Sequence, residues 1–158
     1  MTSPAAAAAG TVLFGGDLTV NRLGCGAMRL SGPDIMGPPK DRDEALAVLR
    51  EAVALGVNHI DTSDYYGPYI VNELIKEALH PYPEDLVLVT KVGARRTARG
   101  AWLPALSAQE LTDAVHDNLD HLGLDRIHAV NLRMADAQGG VMREGSLAEQ
   151  FEVLAGLQ

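Results

Sequence analysis

Short apolar runs alternate with amphipathic helical stretches four times in succession, and this constrains the fold more than any other feature. The runs lie at about residues 22–28, 57–60, 86–90 and 127–132. A segment with 3.6-residue periodicity follows each of them. The first helix opens at Asp41 with Glu44 three residues on, a capping-box-like start. Its stripe is Ala45, Leu46, Leu49, Ala52 and Val53, and Gly56 stands where a left-handed C-cap is wanted. The second, about 69–79, carries Val71, Leu74, Ile75 and Ala78 on one face and is stopped by Pro81. The third opens with a Ser107/Glu110 box and ends at Gly123; the fourth opens with a Ser146/Glu149 box and runs to Gln158.

Alternation of this kind specifies a parallel sheet with right-handed crossovers. A hairpin at 11–19, turning at Gly15-Gly16-Asp17, precedes it. A dinucleotide-binding open sheet would place G-x-G-x-x-G after its first strand. Here Gly24-Cys25-Gly26-Ala27-Met28-Arg29 has no third glycine, and a long loop follows. The expected fold is therefore α/β: the N-terminal half, four β-α units plus a hairpin, of a (β/α)8 TIM barrel. Eight units take about 250 residues, and the chain has 158. Three explanations compete for that length: truncation, a half-barrel that pairs with a second copy, and an open four-stranded domain. Truncation is favoured, because the last helix is cut before it finishes. The expected organisation is a disordered tail at 1–10 and one partial barrel domain at 11–158. Its unpaired edge strands would invite self-association.

Composition narrows the partners. A net charge of −8 argues against a phosphate-neutralising surface, so no nucleic-acid partner is expected. The single cysteine, Cys25, allows no intrachain disulfide, which suits a reducing compartment. The alanine-rich start has no basic flank or long apolar core, and nothing approaches a membrane span. A cytoplasmic protein without membrane contact is expected.

Barrel chemistry sits at the C-terminal ends of the strands. Those ends read Gly26-Ala27-Met28, Asp61-Thr62-Ser63, Lys91, and Asn131-Leu132-Arg133, spaced by 35, 30 and 40 residues, one unit each time. Tyr65, Tyr66 and Gly67 follow the second end directly. Taken singly, such an aspartate is most often a turn residue and such a lysine solvated. Spacing alone does not choose between Tyr65 and Tyr66. His59 and Asp61 share a strand face but have no evident third ligand, so no metal is expected. Cys25 reads as a small buried thiol, and His116 and His121 as surface or packing residues. Arg95, Arg96, Arg99 and Trp102 form a basic loop, with Trp102 a candidate wall for a flat substrate.

Taken together, Asn58-His-Ile-Asp61-Thr-Ser-Asp-Tyr-Tyr66-Gly67 resembles the aldo-keto reductase signature, an Asp followed five positions later by a Tyr. Val89-Thr-Lys91-Val resembles that family's strand-3 lysine, and Asn21-Arg-Leu-Gly-Cys-Gly26-Ala-Met its first strand. The Gly-Pro-Pro loop and the 91–105 segment resemble the bacterial branch that includes pyridoxal reductases (pyridoxine 4-dehydrogenases). The resemblance implies reduction of a small aldehyde, pyridoxal-like in that branch, with NADPH as cofactor and NADH not excluded. It implies Tyr66 as general acid, Lys91 as its electrostatic tuner, and Asp61 as the residue that orients Lys91 and touches the nicotinamide ribose. It leaves Gly26, Ala27 and Met28 as nicotinamide-side contacts. A phenol near pKa 10 is poorly matched to neutral pH, and a cation held close favours the phenolate.

One position departs from the family pattern. Most members carry histidine where this chain has Asn131, which can donate a hydrogen bond but cannot relay a proton. An orienting role is expected for it. The resemblance also assigns the cofactor's pyrophosphate and adenine to second-half loops, so weak binding of NADPH by these residues alone is expected. Two other readings stay open: a non-catalytic nucleotide-binding module of the same fold, and an inactive fragment.

Overall fold

The computed structural model describes residues 5–134 and 146–158. Strands β1 (Thr11–Phe14) and β2 (Leu18–Asn21) form the hairpin. The β-α units follow: β3 (Cys25–Gly26), α1 (Arg42–Ala54), β4 (His59–Asp61), α2 (Ile70–Leu79), β5 (Val87–Val92), α3 (Ala108–Leu122), β8 (Ala129–Leu132) and α4 (Ala148–Ala155). A second hairpin, β6 (Ala94–Arg96) with β7 (Trp102–Pro104), is inserted after β5. The sheet is parallel with order β3-β4-β5-β8, as four successive barrel units require.

Alternate residues of these strands serve two cores. Ile60 and Leu88 face α1 and α2, packing with Leu46, Leu49, Leu74 and Ile75. Each such aliphatic side chain contributes about 1.5–3 kcal/mol by leaving water. Val92 packs with Leu111 and Ala114 of α3. On the other face Val87, Val89 and Ala129 meet Val20, Phe14 and Leu18, so the first hairpin floors the concave side. Asn58 holds the floor in place: its Oδ1 accepts from the Asn21 N–H at 2.7 Å, while the Asn21 amide donates to Gly56 O.

The helix starts follow local chemistry. Asp41 accepts from the Glu44 N–H at 2.9 Å, and Ser107 and Glu110 form a full capping box. Four expectations are corrected. Residues 5–9 are a 3-10 turn and no frayed tail, because the small Ala6 is buried and its N–H donates to Leu55 O at the end of α1. The N-cap of α4 is Leu147, with no side-chain cap; Ser146 lies one residue too early and, among the described residues, accepts from the Ala148 N–H. The basic 94–104 loop is the β6–β7 hairpin, which tucks Trp102 against Arg96. The first strand is also shorter than expected, because the chain turns into a 3-10 segment at Ala27–Leu30.

Candidate active site

Parallel register brings the strand ends together. Gly26 is level with Asp61, and Lys91 with Asn131. Lys91 Nζ bonds Asp61 Oδ1 and also donates to Thr62 O at 3.1 Å, bridging β4 and β5. The pair is half-open, with the Lys91 side chain 22% and the Asp61 side chain 36% exposed. The ammonium also lies 5.1 Å from the centroid of the Tyr66 ring, within cation-π range. Its contact there is with the ring face. The three residues joined by spacing are thus joined in space.

The loop that carries Tyr66 is stitched on both sides. Ser63 Oγ lies 3.2 Å from Lys91 O and 3.0 Å from Asp64 Oδ1, two acceptors that share its single proton. Gly67 N–H donates to Ile35 O, and Gly67 O accepts from Gly37 N–H. Gly67 sits at φ +92, and a Cβ there would come within 2.6 Å of Ile70 Cβ. Glycine is therefore the residue this turn accepts after the tyrosine.

The geometry also separates the two tyrosines. Tyr65 is 3% exposed, wedged edge-on between Tyr66 and Trp102 at 5.4 and 5.3 Å, and its hydroxyl has no partner among the described residues. Burial pushes its phenol pKa well up. Tyr65 is a packing residue and Tyr66 is the one beside Lys91.

Asn131 is exposed and lines a concavity of about 420 Å³ with Asp61, His59, Val89, Ala129 and the hairpin residues Leu13 to Gly15. Of the three expected nicotinamide-side positions, Gly26 alone stands level with Asp61. A Cβ at Gly26 would meet nothing within 4 Å, so the strand end is open. Ala27 is fully buried in the sheet–helix core, and Met28 lines a different concavity with Ser31 and Lys40. Trp102 is half-buried beside Tyr65. Cys25 is also half-buried, and burial raises its thiol pKa. No group of three candidate metal ligands occurs among the described residues. None of the described helices is long and apolar enough to cross a membrane.

Two features lay outside the expected set. Thr62, Asn72, Thr90 and Asn118, all fully buried, form one network behind the site: Thr62 Oγ1 donates to Asn72, while Asn72 Nδ2 and Thr90 Oγ1 both donate to Asn118 Oδ1. An asparagine within the apolar stripe of each helix, Asn72 beside Val71 and Asn118 between Ala114 and Leu122, was the available signal. Asp64 is 7% exposed, and desolvation outweighs its hydrogen bonds, raising its carboxyl pKa to about 7.

Comparison with known proteins decides the family. The family model described as aldo/keto reductase matches residues 22–158. The chain belongs to the aldo/keto reductase family. It is 57% identical over 143 residues to pyridoxine 4-dehydrogenase of Escherichia coli, covering 90% of this chain and 50% of that protein. It is 40% identical to an uncharacterised oxidoreductase of Schizosaccharomyces pombe, covering 83% and 42%. Among solved structures, the holo form of an aldo-keto reductase from Bacillus halodurans superposes with a TM-score of 0.75 at 28% identity, covering 93% of this chain and 45% of that one. The chain spans about half the length of the curated relatives it matches. The fold in hand is thus four consecutive units of that family's (β/α)8 barrel.

Proposed function

We propose that this chain supplies the acid-base half of an NADPH-dependent carbonyl reductase acting on small aldehydes of the pyridoxal class. The observation that carries the reading is the Asp61–Lys91 bridge lying over Tyr66 at adjoining strand ends. The 57% identity to a pyridoxine 4-dehydrogenase supports the substrate class.

Tyr66 donates its phenolic proton to the carbonyl oxygen as that oxygen becomes an alcohol. The negative charge left on Tyr66 is stabilised by the Lys91 ammonium, and Asp61 keeps Lys91 at the strand end. Asn131, exposed beside them, donates a hydrogen bond that orients the substrate oxygen. The site residues fit a nicotinamide: Gly26 leaves the strand end open, and Asp61 offers a half-exposed carboxylate to a ribose hydroxyl. When bound, the reduced cofactor supplies the hydride.

The test is oxidation of NADPH by the full-length protein with pyridoxal and a panel of small aldehydes, followed at 340 nm for wild type and Lys91→Met. Turnover lost by at least a hundredfold in the variant is expected. Tight NADPH binding without turnover of any aldehyde would favour a non-catalytic nucleotide-binding module instead.

A further inference from the structure

Arg133 plays no part in the reaction just described, yet the fold fixes its position closely. It follows β8 directly, two residues beyond Asn131, and its N–H donates to Val92 O at 2.7 Å, carrying the β5–β8 pairing one step further. Gly93 makes this possible: it sits at φ +99, and a Cβ there would lie 2.4 Å from Arg133 O. The Arg133 guanidinium carbon is 4.4 Å from the Trp102 ring centroid and 5.8 Å from that of Tyr65.

A second guanidinium shares the same indole. Arg96 Cζ lies 4.0 Å from the Trp102 centroid, but its N–H groups are taken up by Asp34 O, Ile35 O and Gly100 O. Arg96 therefore anchors the tryptophan. The contacts of the Arg133 guanidinium among the described residues are with aromatic rings. Stacking occupies the face of a guanidinium and leaves its edge donors free. Two cations converge here; the Asp34 carboxylate partly offsets Arg96, and an anion beside Arg133 would relieve what remains. The Tyr66, Tyr65 and Trp102 rings, each 5.3–5.4 Å from the next, connect this point to Lys91.

We propose that Arg133, seated on Trp102, is a specificity subsite for an oxyanion, carboxylate or phosphate, carried by a flat aromatic carbonyl substrate. The proposal rests on the carbonyl-reductase reading of Tyr66 and Lys91. The ring of the substrate would lie beside the half-buried Trp102 indole, and the planar fork of Arg133 would pair with the oxyanion. A purely structural Arg133, there only to hold Trp102, would act on every substrate alike.

The test uses the full-length protein with 4-carboxybenzaldehyde, 4-formylphenyl phosphate and the uncharged methyl 4-formylbenzoate. Replacing Arg133→Met keeps the length of the side chain and removes its charge and fork. KM for one or both anions is expected to rise at least tenfold more than KM for the ester; the pattern tells carboxylate from phosphate. Three KM values moving together, or none moving, would overturn the proposal. Calorimetry with 4-(hydroxymethyl)benzoate, which needs no turnover, separates this result from failure of the reductase reading. Wild type should bind that anion, or its phosphate counterpart 4-(hydroxymethyl)phenyl phosphate, at least tenfold more tightly than Arg133→Met, and equal binding of both would sink the subsite even in an inactive protein.

Discussion

Ile60, Thr62, Leu88, Thr90 and Val92 point toward the helices and are at most 1% exposed. Asp61 and Lys91, their neighbours in the same strands, point to the concave side and remain half-open, and Asn131 of β8 is exposed beside them. On the outer face, the hydroxyls and amides of the buried Thr62–Asn72–Thr90–Asn118 network find partners within it or on the backbone. On the inner face, charge is placed where water and a ligand can reach it. Burying a charge without full compensation is costly, whereas burying a paired hydroxyl is tolerable. One side of the sheet thus sets the frame and the other carries the groups proposed to react.

The sharpest way to break this contrast is Tyr66→Phe. Losing the proton donor should lower kcat of the full-length protein by about 10²–10⁴, with an unchanged circular dichroism spectrum, since the ring packing against Tyr65 is kept. Retained activity would move the chemistry elsewhere. The outer face should respond in the opposite sense. Asn118→Ala strands Thr90 and Asn72 as unpaired buried groups and should cost about 2–4 kcal/mol in urea denaturation. A loss below about 1 kcal/mol would mean that water repairs the network.

Asp64 sharpens the comparison through pH. Its carboxyl has a pKa near 3.9 in an unfolded chain and about 7 in the folded one. Between those values the folded state holds more proton, so stability should fall as pH rises from about 4 to about 7 and then level off. Asp64→Asn should flatten that dependence, gaining on the order of 2 kcal/mol over wild type at pH 8. Melting curves across pH check it, and an unchanged slope would refute it. The smallest effect is expected from Asn131→Ala. Its exposed side chain should leave stability within about 0.5 kcal/mol, while the lost hydrogen bond raises KM by roughly threefold to tenfold. Unaltered kcat and KM would remove Asn131 from the site.

Much of this was legible because the repeat was strong. Apolar stripes such as Val71, Leu74 and Ile75 state which helix face is buried, and the 35, 30 and 40-residue spacing puts strand ends at one mouth. Caps were legible where side chain and spacing agreed, as at Ser107, and misled where the backbone entered one residue later, as at Ser146. The hairpin at Trp102 escaped because strands of three residues leave almost no period to detect. Tyr65 and Tyr66, told apart in the sequence only by the family spacing, are both buried and separate in space by the Lys91 ammonium, which lies over the Tyr66 ring.

Strand order in the four-stranded sheet is also strand order along the chain, with the β1–β2 and β6–β7 hairpins set aside. That gives the Asp61–Lys91 bridge a place in time as well as in space. The two residues are 30 positions apart, so the bridge closes a loop of a single β-α unit. The entropic cost of closure grows slowly with length, by only about 0.6 kcal/mol per doubling, and folds built on contacts of short sequence separation form faster than those built on distant ones. The Asp61–Lys91 pair can thus assemble as soon as β5 docks on β4, with no distant segment needed to bring it together.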